Sequence, residues 1–548
     1  MPFSIFALIP VLVTLTFSGA LQTSQRNDSK SQTVLRVTTR LVEASVIVQD
    51  GNGRPVTGLK KDDFILLVGG KERAIDAFAE ERASVPEAPE EPLPPGVYSN
   101  ELTRQPGIPN SLTAILFDAL NTTFWDQVSA GQNLIGFLGQ IKPQDRIAIL
   151  TLGSRLRVLH DFSSDTGSLV RAIRAYQTRQ NSEIAASMVE SYQSGNPVLD
   201  AILEKQIAAV AKYEEGERIR RTLEAMTNIA DYMATIPGRK NLIWISGSFR
   251  FPFGDDVEGV RGVTTEEIMK ACRAVSNANM ALYPVDARGL VGPADIFPMF
   301  NAANRGGSSR FMAERVLAAN SDFYRTIQTM QTLAERTGGR AFYNTNDITN
   351  SIRRAVDDSA DHYMLGFYPR EDEWNSKFHN IKVKVNRPGL EVRYRQGFYS
   401  SPGPQLSAKD RAALAMEAVQ GPLEATRLTL MVRLDPPSSA EDPLRFELVV
   451  DPHQIALEPG NNPVTGRLYI AFVQRTDAGK VLQARQETVD LRLSEATYRS
   501  ALEHGLALPR EWALDPAARQ LRIAVCDGLS DNVGSITVSL FKKAEEQK

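Results

Sequence analysis

The chain is poor in the residues that make covalent staples and metal cages. Its 548 residues include two cysteines, Cys272 and Cys526, too few for a disulfide framework or a four-thiolate zinc site. Five histidines (His160, His362, His379, His453, His504) are scattered, with no His-x-x-x-His pair, which argues against a helical zinc hydrolase. No Gly-x-x-x-x-Gly-Lys-Ser/Thr phosphate loop occurs, and no Gly-x-Ser-x-Gly elbow surrounds any serine. Gly306-Gly307 lacks the strand–glycine–helix setting of a dinucleotide site. An excess of one charge is missing too. Lys+Arg number 62 against 65 Asp+Glu, a net charge of -3, which excludes bulk attraction to nucleic acid or an anionic membrane. What remains is 42% hydrophobic and 23% charged, the composition of a globular chain, and the length suggests about three or four domains.

The only long apolar run is at the start. Residues 3–17 (FSIFALIPVLVTLTF) precede Ser18-Gly19-Ala20, a small-x-small pattern, although no basic residue comes before Arg26. The run is shorter than a membrane-crossing helix of ~20 residues. Residues 1–20 are therefore expected to be a signal peptide. Its removal leaves a secreted or periplasmic/extracellular chain with no transmembrane span.

Composition then divides the rest. Residues 34–79 alternate apolar and polar around the turns at Asp50-Gly51-Asn52-Gly53 and Gly69-Gly70, the pattern of a small β module. A Pro/Glu-rich linker is expected over 80–110. From 111 to 361, buried-type strands (LTAILFD, RIAILTLG, NLIWISG, ALYPVD, RAFYNT) alternate with helical stretches, the order of an α/β domain with helices on both faces of a mostly parallel sheet. RLRVLHDF reads as a hairpin partner of the second strand, and a helical insertion is expected near 180–220. Residues 362–400 are strands suited to completing the amino-terminal module, and 406–548 read as a helix followed by a second β-sandwich.

This ordered string resembles the von Willebrand factor A-related domain family of the acidobacterial type. The resemblance covers residues 34–400, from LVEASVIVQDGNGRPVTGLKKDDF through PGRKNLIWISG, ALYPVDARG and HYMLGFYP to RPGLEVRYRQGFY. It implies a multidomain α/β plus β fold, with a doubly wound von Willebrand A-like (Rossmann-like) domain flanked by β-sandwich-like modules. The family brings no established activity.

The fold often carries a metal-ion-dependent adhesion site, in which a hard cation takes oxygens from an Asp-x-Ser-x-Ser loop, a Thr and an Asp. The resemblance maps that site, in degenerate form, onto Asp118, Thr122, Thr222 and Ser246, with Mg²⁺ (or Mn²⁺/Ca²⁺) as the cation. Leu120 stands where the central serine would be, and Ser246-Gly247 where Asp-Gly would be. Thr222 falls in a stretch, GERIRRTLEAMTNIADYM, whose uninterrupted helix would aim it away from the site. Asn121, Ser248 and Asp286 are candidate binding residues on the same sheet edge. A purely structural role is open for each: Asp118 capping the helix near Phe124, Asn121 and Thr122 shaping a turn, Asp286 bridging to Arg288. Cys272 and Cys526 read as buried small hydrophobes.

The resulting expectation is a non-enzymatic, adhesion-type protein that binds a protein or peptide partner, with no nucleic-acid partner. The alternative is a metal-independent structural scaffold of an envelope or extracellular assembly.

Overall fold

The computed structural model describes residues 41–541 apart from 83–92, 102–110, 186–196, 235, 237–238, 249–262, 291–308, 359–360, 374, 376, 400–405, 436–442, 459–462 and 478. The expected signal peptide, residues 1–20, lies outside them. The fold is mixed α/β with several antiparallel sheets, and residues Arg40–Lys548 form one compact unit.

The chain opens with β1 (Val42–Gln49), β2 (Phe64–Val68), β3 (Lys71–Arg73), β4 (Ala77–Arg82) and β5 (Val97–Ser99). The central part consists of β6 (Ser111–Asp118), α1 (Phe124–Leu138), β7 (Ile147–Leu152), β8 (Leu156–Ser163), α2 (Thr166–Ala185), α3 (Pro197–Tyr232), β9 (Arg239–Ser246), α4 (Thr265–Asn277), β10 (Met280–Asp286), α5 (Ser309–Thr337) and α6 (Ile348–Asp357). Next come β11 (Asp361–Phe367), β12 (Phe378–Val385), β13 (Glu391–Tyr394) and β14 (Gly397–Tyr399). The carboxyl-terminal part holds α7 (Ala408–Gln420), β15 (Leu430–Asp435), β16 (Leu444–Val450), β17 (Val464–Arg475), β18 (Val481–Leu493), α8 (Glu495–His504), β19 (Leu506–Trp512), β20 (Gln520–Asp527) and β21 (Val533–Ser539).

The central sheet has the order β10-β9-β6-β7-β8. Its first four strands are parallel and β8 closes the edge antiparallel to β7. Period-two alternation sorts its apolar residues. Leu112, Ala114, Leu116, Leu242, Trp244 and Leu282 pack with α3, α4 and α5. Ile115, Phe117, Ile149, Ile243, Ile245 and Tyr283 pack with α1, α2 and α6. Both faces are thus covered, which is why these strands read as continuous apolar runs. Helix starts are marked by side-chain caps. Thr123 accepts from the Asp126 N–H at the head of α1, and Thr264 and Glu267 form a capping box at α4.

Two β-sandwiches flank this sheet. The first pairs the sheets β13-β1-β11-β4 and β14-β12-β2-β3 around Val46, Leu66, Leu365, Phe367 and Phe398. Half its strands therefore come from residues 361–399. The second pairs β19-β16-β15-β5 with β18-β17-β20-β21. Helix α7 covers the outer face of the latter sheet through Ala415 and Val419, so β17 is buried on both sides.

Three sequence expectations change. The stretch 80–110 is not wholly linker: Glu80–Arg82 end β4, and Val97–Ser99 form an edge strand of the second sandwich, antiparallel to β15. The helical insertion near 180–220 is not set apart from the domain's own helix, because α3 runs without a break from Pro197 to Tyr232. RAFYNT adds no full strand and contributes one parallel bridge, Val285 to Phe342.

Candidate functional site

Register places the candidate residues in one row. Asp118 ends β6, and the parallel pairing puts Ser246 of β9 beside it and Asp286 of β10 beyond. Chain order reverses at β6, whose neighbours are β7 on one side and β9 on the other, so the crevice beyond these carboxyl ends is a topological switch point.

Asp118 is 1% exposed. Its Oδ1 accepts from the Asn121 backbone N–H at 3.0 Å. Its Oδ2 accepts from Asn121 Nδ2 at 2.9 Å and from the Trp244 indole Nε1 at 3.0 Å. The Ser246 hydroxyl lies 2.9 Å from the same Oδ2 and 2.9 Å from the Ser248 carbonyl, and its one proton serves one of them at a time. Burial pushes the Asp118 carboxyl above its ordinary pKa, and the Asn121, Trp244 and Ser246 donors pull it back part of the way.

The other candidates are tied in around it. Asn121 Nδ2 also donates to Thr222 Oγ1 at 3.1 Å, and the Thr222 hydroxyl donates to the Arg218 carbonyl one turn back at 2.8 Å. The helix is uninterrupted, yet Thr222 faces the sheet and is 3% exposed, contrary to the expectation that it would be aimed away. Thr122 Oγ1 accepts from the Gly247 N–H at 2.8 Å, joining the first and third loops. A Cβ on Gly247 would stand 3.3 Å from Thr122 Cα, so these loops sit close.

Asp286 behaves differently. It accepts from the Arg288 N–H and Nε through Oδ1 and from Nη2 through Oδ2 at 2.7 Å, the structural role its sequence neighbour suggested. As a binding carboxylate it is withdrawn: it is 2% exposed and committed to that guanidinium, which also lies over the Phe323 ring.

The arrangement can be tested against a divalent cation, which needs six or more oxygens at once and, as Mg²⁺, near-octahedral geometry. Around Asp118 three of the groups turned toward the carboxylate are N–H donors, which repel a cation, and the fourth is the Ser246 hydroxyl. Leu120 supplies no oxygen, and the hydroxyls of Thr122, Thr222 and Ser246 are already engaged as described. This donor set, as arranged, does not fit such an ion.

Above the network is a cleft of about 310 Å³. Leu120, Asn121, Thr122 and Thr123 line one side, Glu215, Arg218 and Ile219 of α3 another, and Ser248 a third. Trp125, two residues beyond Thr123, is 75% exposed at the head of α1. The sequence reading missed Trp244 and the α3 wall. Both carry a periodic signal: Trp244 is two residues before Ser246 on one strand face, and 215, 218, 219 and 222 share a helix face.

No family model matches the chain, and no curated protein matches it. Among solved structures it is similar to an aerotolerance-related membrane protein from Bacteroides fragilis NCTC 9343, crystallised with multiple mutations to serines. The TM-score is 0.23 and the identity 10%, over 45% of this chain and 98% of that one. It is also similar to the pilus adhesin SpaC from Lactobacillus rhamnosus GG, with a TM-score of 0.25 and 8% identity, over 84% of this chain and 57% of that one. Similarity at this level carries no argument about function.

Proposed function

We propose that the chain is an exported, non-enzymatic binding protein whose central sheet is a doubly wound von Willebrand A-like domain. The cleft beyond β6 and β9 receives a protein or peptide partner without a bridging cation. The observation that carries this reading is the buried Asp118 carboxylate, closed by N–H and O–H donors beneath an open cleft at the switch point. In this reading Asp118 holds the loops after β6 and β9 in register and, through Asn121, ties them to α3, and recognition belongs to the cleft lip with the exposed Trp125, a residue type enriched where partners dock. Among the described residues no helix is long and apolar enough to cross a membrane.

The test is calorimetric titration of Mg²⁺, Mn²⁺ and Ca²⁺ into the chain and into Asp118→Ala. No cation-dependent heat is expected from either. Saturable heat that disappears in Asp118→Ala would restore a working cation site and sink the metal-independent reading.

A further inference from the structure

The second sandwich has four sheet edges, and three of them are closed to a further strand. β5 is three residues long, and β19 carries Pro509, which has no N–H to offer. The outer side of β21 is covered by the chain that leads into β15. There the Ser535 N–H donates to the Ala425 carbonyl at 2.7 Å, and Thr426 bridges to Gly534. The fourth edge is β18. Its 13 residues, Val481–Leu493, pair with β17, and among the described residues no backbone group of β18 bonds to anything else. The strand contains neither proline nor lysine, the residues that most often blunt an exposed edge.

The side chains of β18 limit how another strand can lie along it. The register shift opposite Gln474 and Arg475 makes Leu482 an extra residue, so the regular edge begins at Gln483. From there to Val489 the charged side chains are Arg485 and Glu487, on one face of the strand. Arg485 Nη2 lies 3.4 Å from Glu487 Oε2, and Glu487 Oε1 accepts from Arg510 Nε at 2.7 Å. Antiparallel pairing of two identical strands about a two-fold axis sets one residue opposite its own copy. With Arg485 or Glu487 on that axis, like charges meet and oppose pairing. With Thr488 there, Arg485 meets Leu491 and Glu487 meets Val489. With Gln486 there, each Arg485 meets the Glu487 of the other copy, Ala484 meets Thr488 and Gln483 meets Val489. Of these four registers, the one centred on Gln486 alone joins opposite charges.

We propose that β18 is a self-association edge, at which two copies of the chain pair antiparallel about Gln486 over residues 483–489. The pairing joins two four-stranded sheets across the dimer. The open backbone groups supply the attraction, and the two Arg485–Glu487 contacts set the register. A ladder this short buries less than the ~1,200 Å² of a stable interface, so the dimer is weak, with a Kd on the order of 10–100 μM. The edge belongs to the carboxyl-terminal sandwich, so this inference does not rest on the function proposed for the cleft of the central sheet.

Sedimentation velocity of the full chain, from about 5 to 200 μM, is expected to show a reversible monomer–dimer equilibrium. Arg485→Glu sets like charges together at both contacts and is expected to weaken the dimer at least about tenfold, its unfolding temperature showing that it folds. Cross-linking reads the register. Cys272 and Cys526 are buried, so an added surface cysteine reacts without them. Gln486→Cys is expected to give a disulfide-linked dimer under mild oxidation, because its two copies stand opposite each other. Ala484→Cys is expected to stay unlinked, because its copies are four residues apart along the ladder, roughly 14 Å, beyond the ~7 Å limit between Cα atoms. A monomer at every concentration overturns the proposal. So does a dimer indifferent to Arg485→Glu, or Ala484→Cys linking as readily as Gln486→Cys. If Arg485→Glu does not fold, the two cysteine variants still decide.

Discussion

A buried Asp118 is stable only as long as its donors stay, so its surroundings set what single substitutions do. Trp244→Phe removes the indole N–H from Oδ2 and leaves space where the larger ring stood. We expect a loss of about 2–4 kcal/mol, read as a lower urea midpoint with an unchanged slope. A neutral result would mean the indole bond is not made in solution. Lys240 gives a pH-dependent case. It is 4% exposed, and burial lowers its pKa from 10.5 to about 8, opposed by Glu43 and Glu81. Between pH 8 and 10.5 the unfolded chain holds this proton more tightly than the folded one, so this group's contribution to stability rises with pH across that window. Lys240→Met escapes the cost of burying the charge. The stability gap between variant and parent should narrow by roughly 3 kcal/mol over the window, from about 2.5 pKa units at 1.36 kcal/mol each. Cys272 and Cys526, both raised to about 12, pull the other way above pH 9 in parent and variant alike, which is why the gap is the quantity to measure. A gap independent of pH would show that Lys240 titrates normally. Of these residues Asp118 and Ser246 were legible in the sequence because they end apolar runs. Trp244 and Lys240 were not: Trp244 lies inside such a run and its indole N–H finds Asp118 only across the fold, while Lys240 sits between Arg239 and Asn241, where a charged residue reads as exposed, and its Nζ donates to the Ile236 carbonyl.

Elements were legible where one period dominates. The strands of the central sheet, α1 with its Thr123 cap and α4 with its Thr264 box all declare themselves locally. β5 does not, because three residues in a Pro-rich stretch owe their pairing to a strand more than 300 residues away. What fixes it is Asn100, 2% exposed. Its Nδ2 is within hydrogen-bonding distance of the carbonyls of Ala425 at 3.1 Å, Leu428 at 3.0 Å and Ser535 at 3.2 Å. Its Oδ1 accepts from the Leu430 N–H at 2.7 Å. One amide thus joins the amino-terminal side of the chain to both sheets of the second sandwich. Asn100→Ala strands several buried backbone groups and should cost about 2–3 kcal/mol. Hydrogen exchange would show the loss first at β5 and at Leu428–Leu430. Unchanged protection there would mean β5 is held by its ladder alone.

At the scale of the whole molecule, the first sandwich depends on chain that comes after the α/β domain. β1 lies between β11 and β13, and β2 lies between β12 and β3, so residues 42–82 alone leave β1 without either neighbour and β2 with one. The core of that sandwich needs Tyr363, Leu365, Phe367, Ile381, Val383 and Phe398. Tyr363 also donates from its hydroxyl to the Val56 carbonyl at 2.9 Å and accepts from the Leu59 N–H at 3.1 Å, holding the turn region between β1 and β2. The sequence marked 362–400 as suited to this partnership because those strands are too few to form a sandwich alone. It could not give the interleaved order, since strand neighbours are chosen by register across the fold and not by nearness in sequence. The same interleaving ties the module to its neighbour. Arg393 of β13 makes a bidentate pair with Asp358 beyond α6, at 2.7 and 2.6 Å, and Asn279 Nδ2 donates to Ser45 of β1. A chain truncated after residue 358 should therefore lose amide protection over Ala44–Val48 and Phe64–Val68 and be cleaved there by protease, while the intact chain resists. The order of loss matters: Ala44–Val48 has both β11 and β13 removed and should open first, whereas β2 keeps β3. Retained protection over Ala44–Val48 in the truncated chain would mean that β1 finds other partners, and the interleaved sandwich would have to be abandoned.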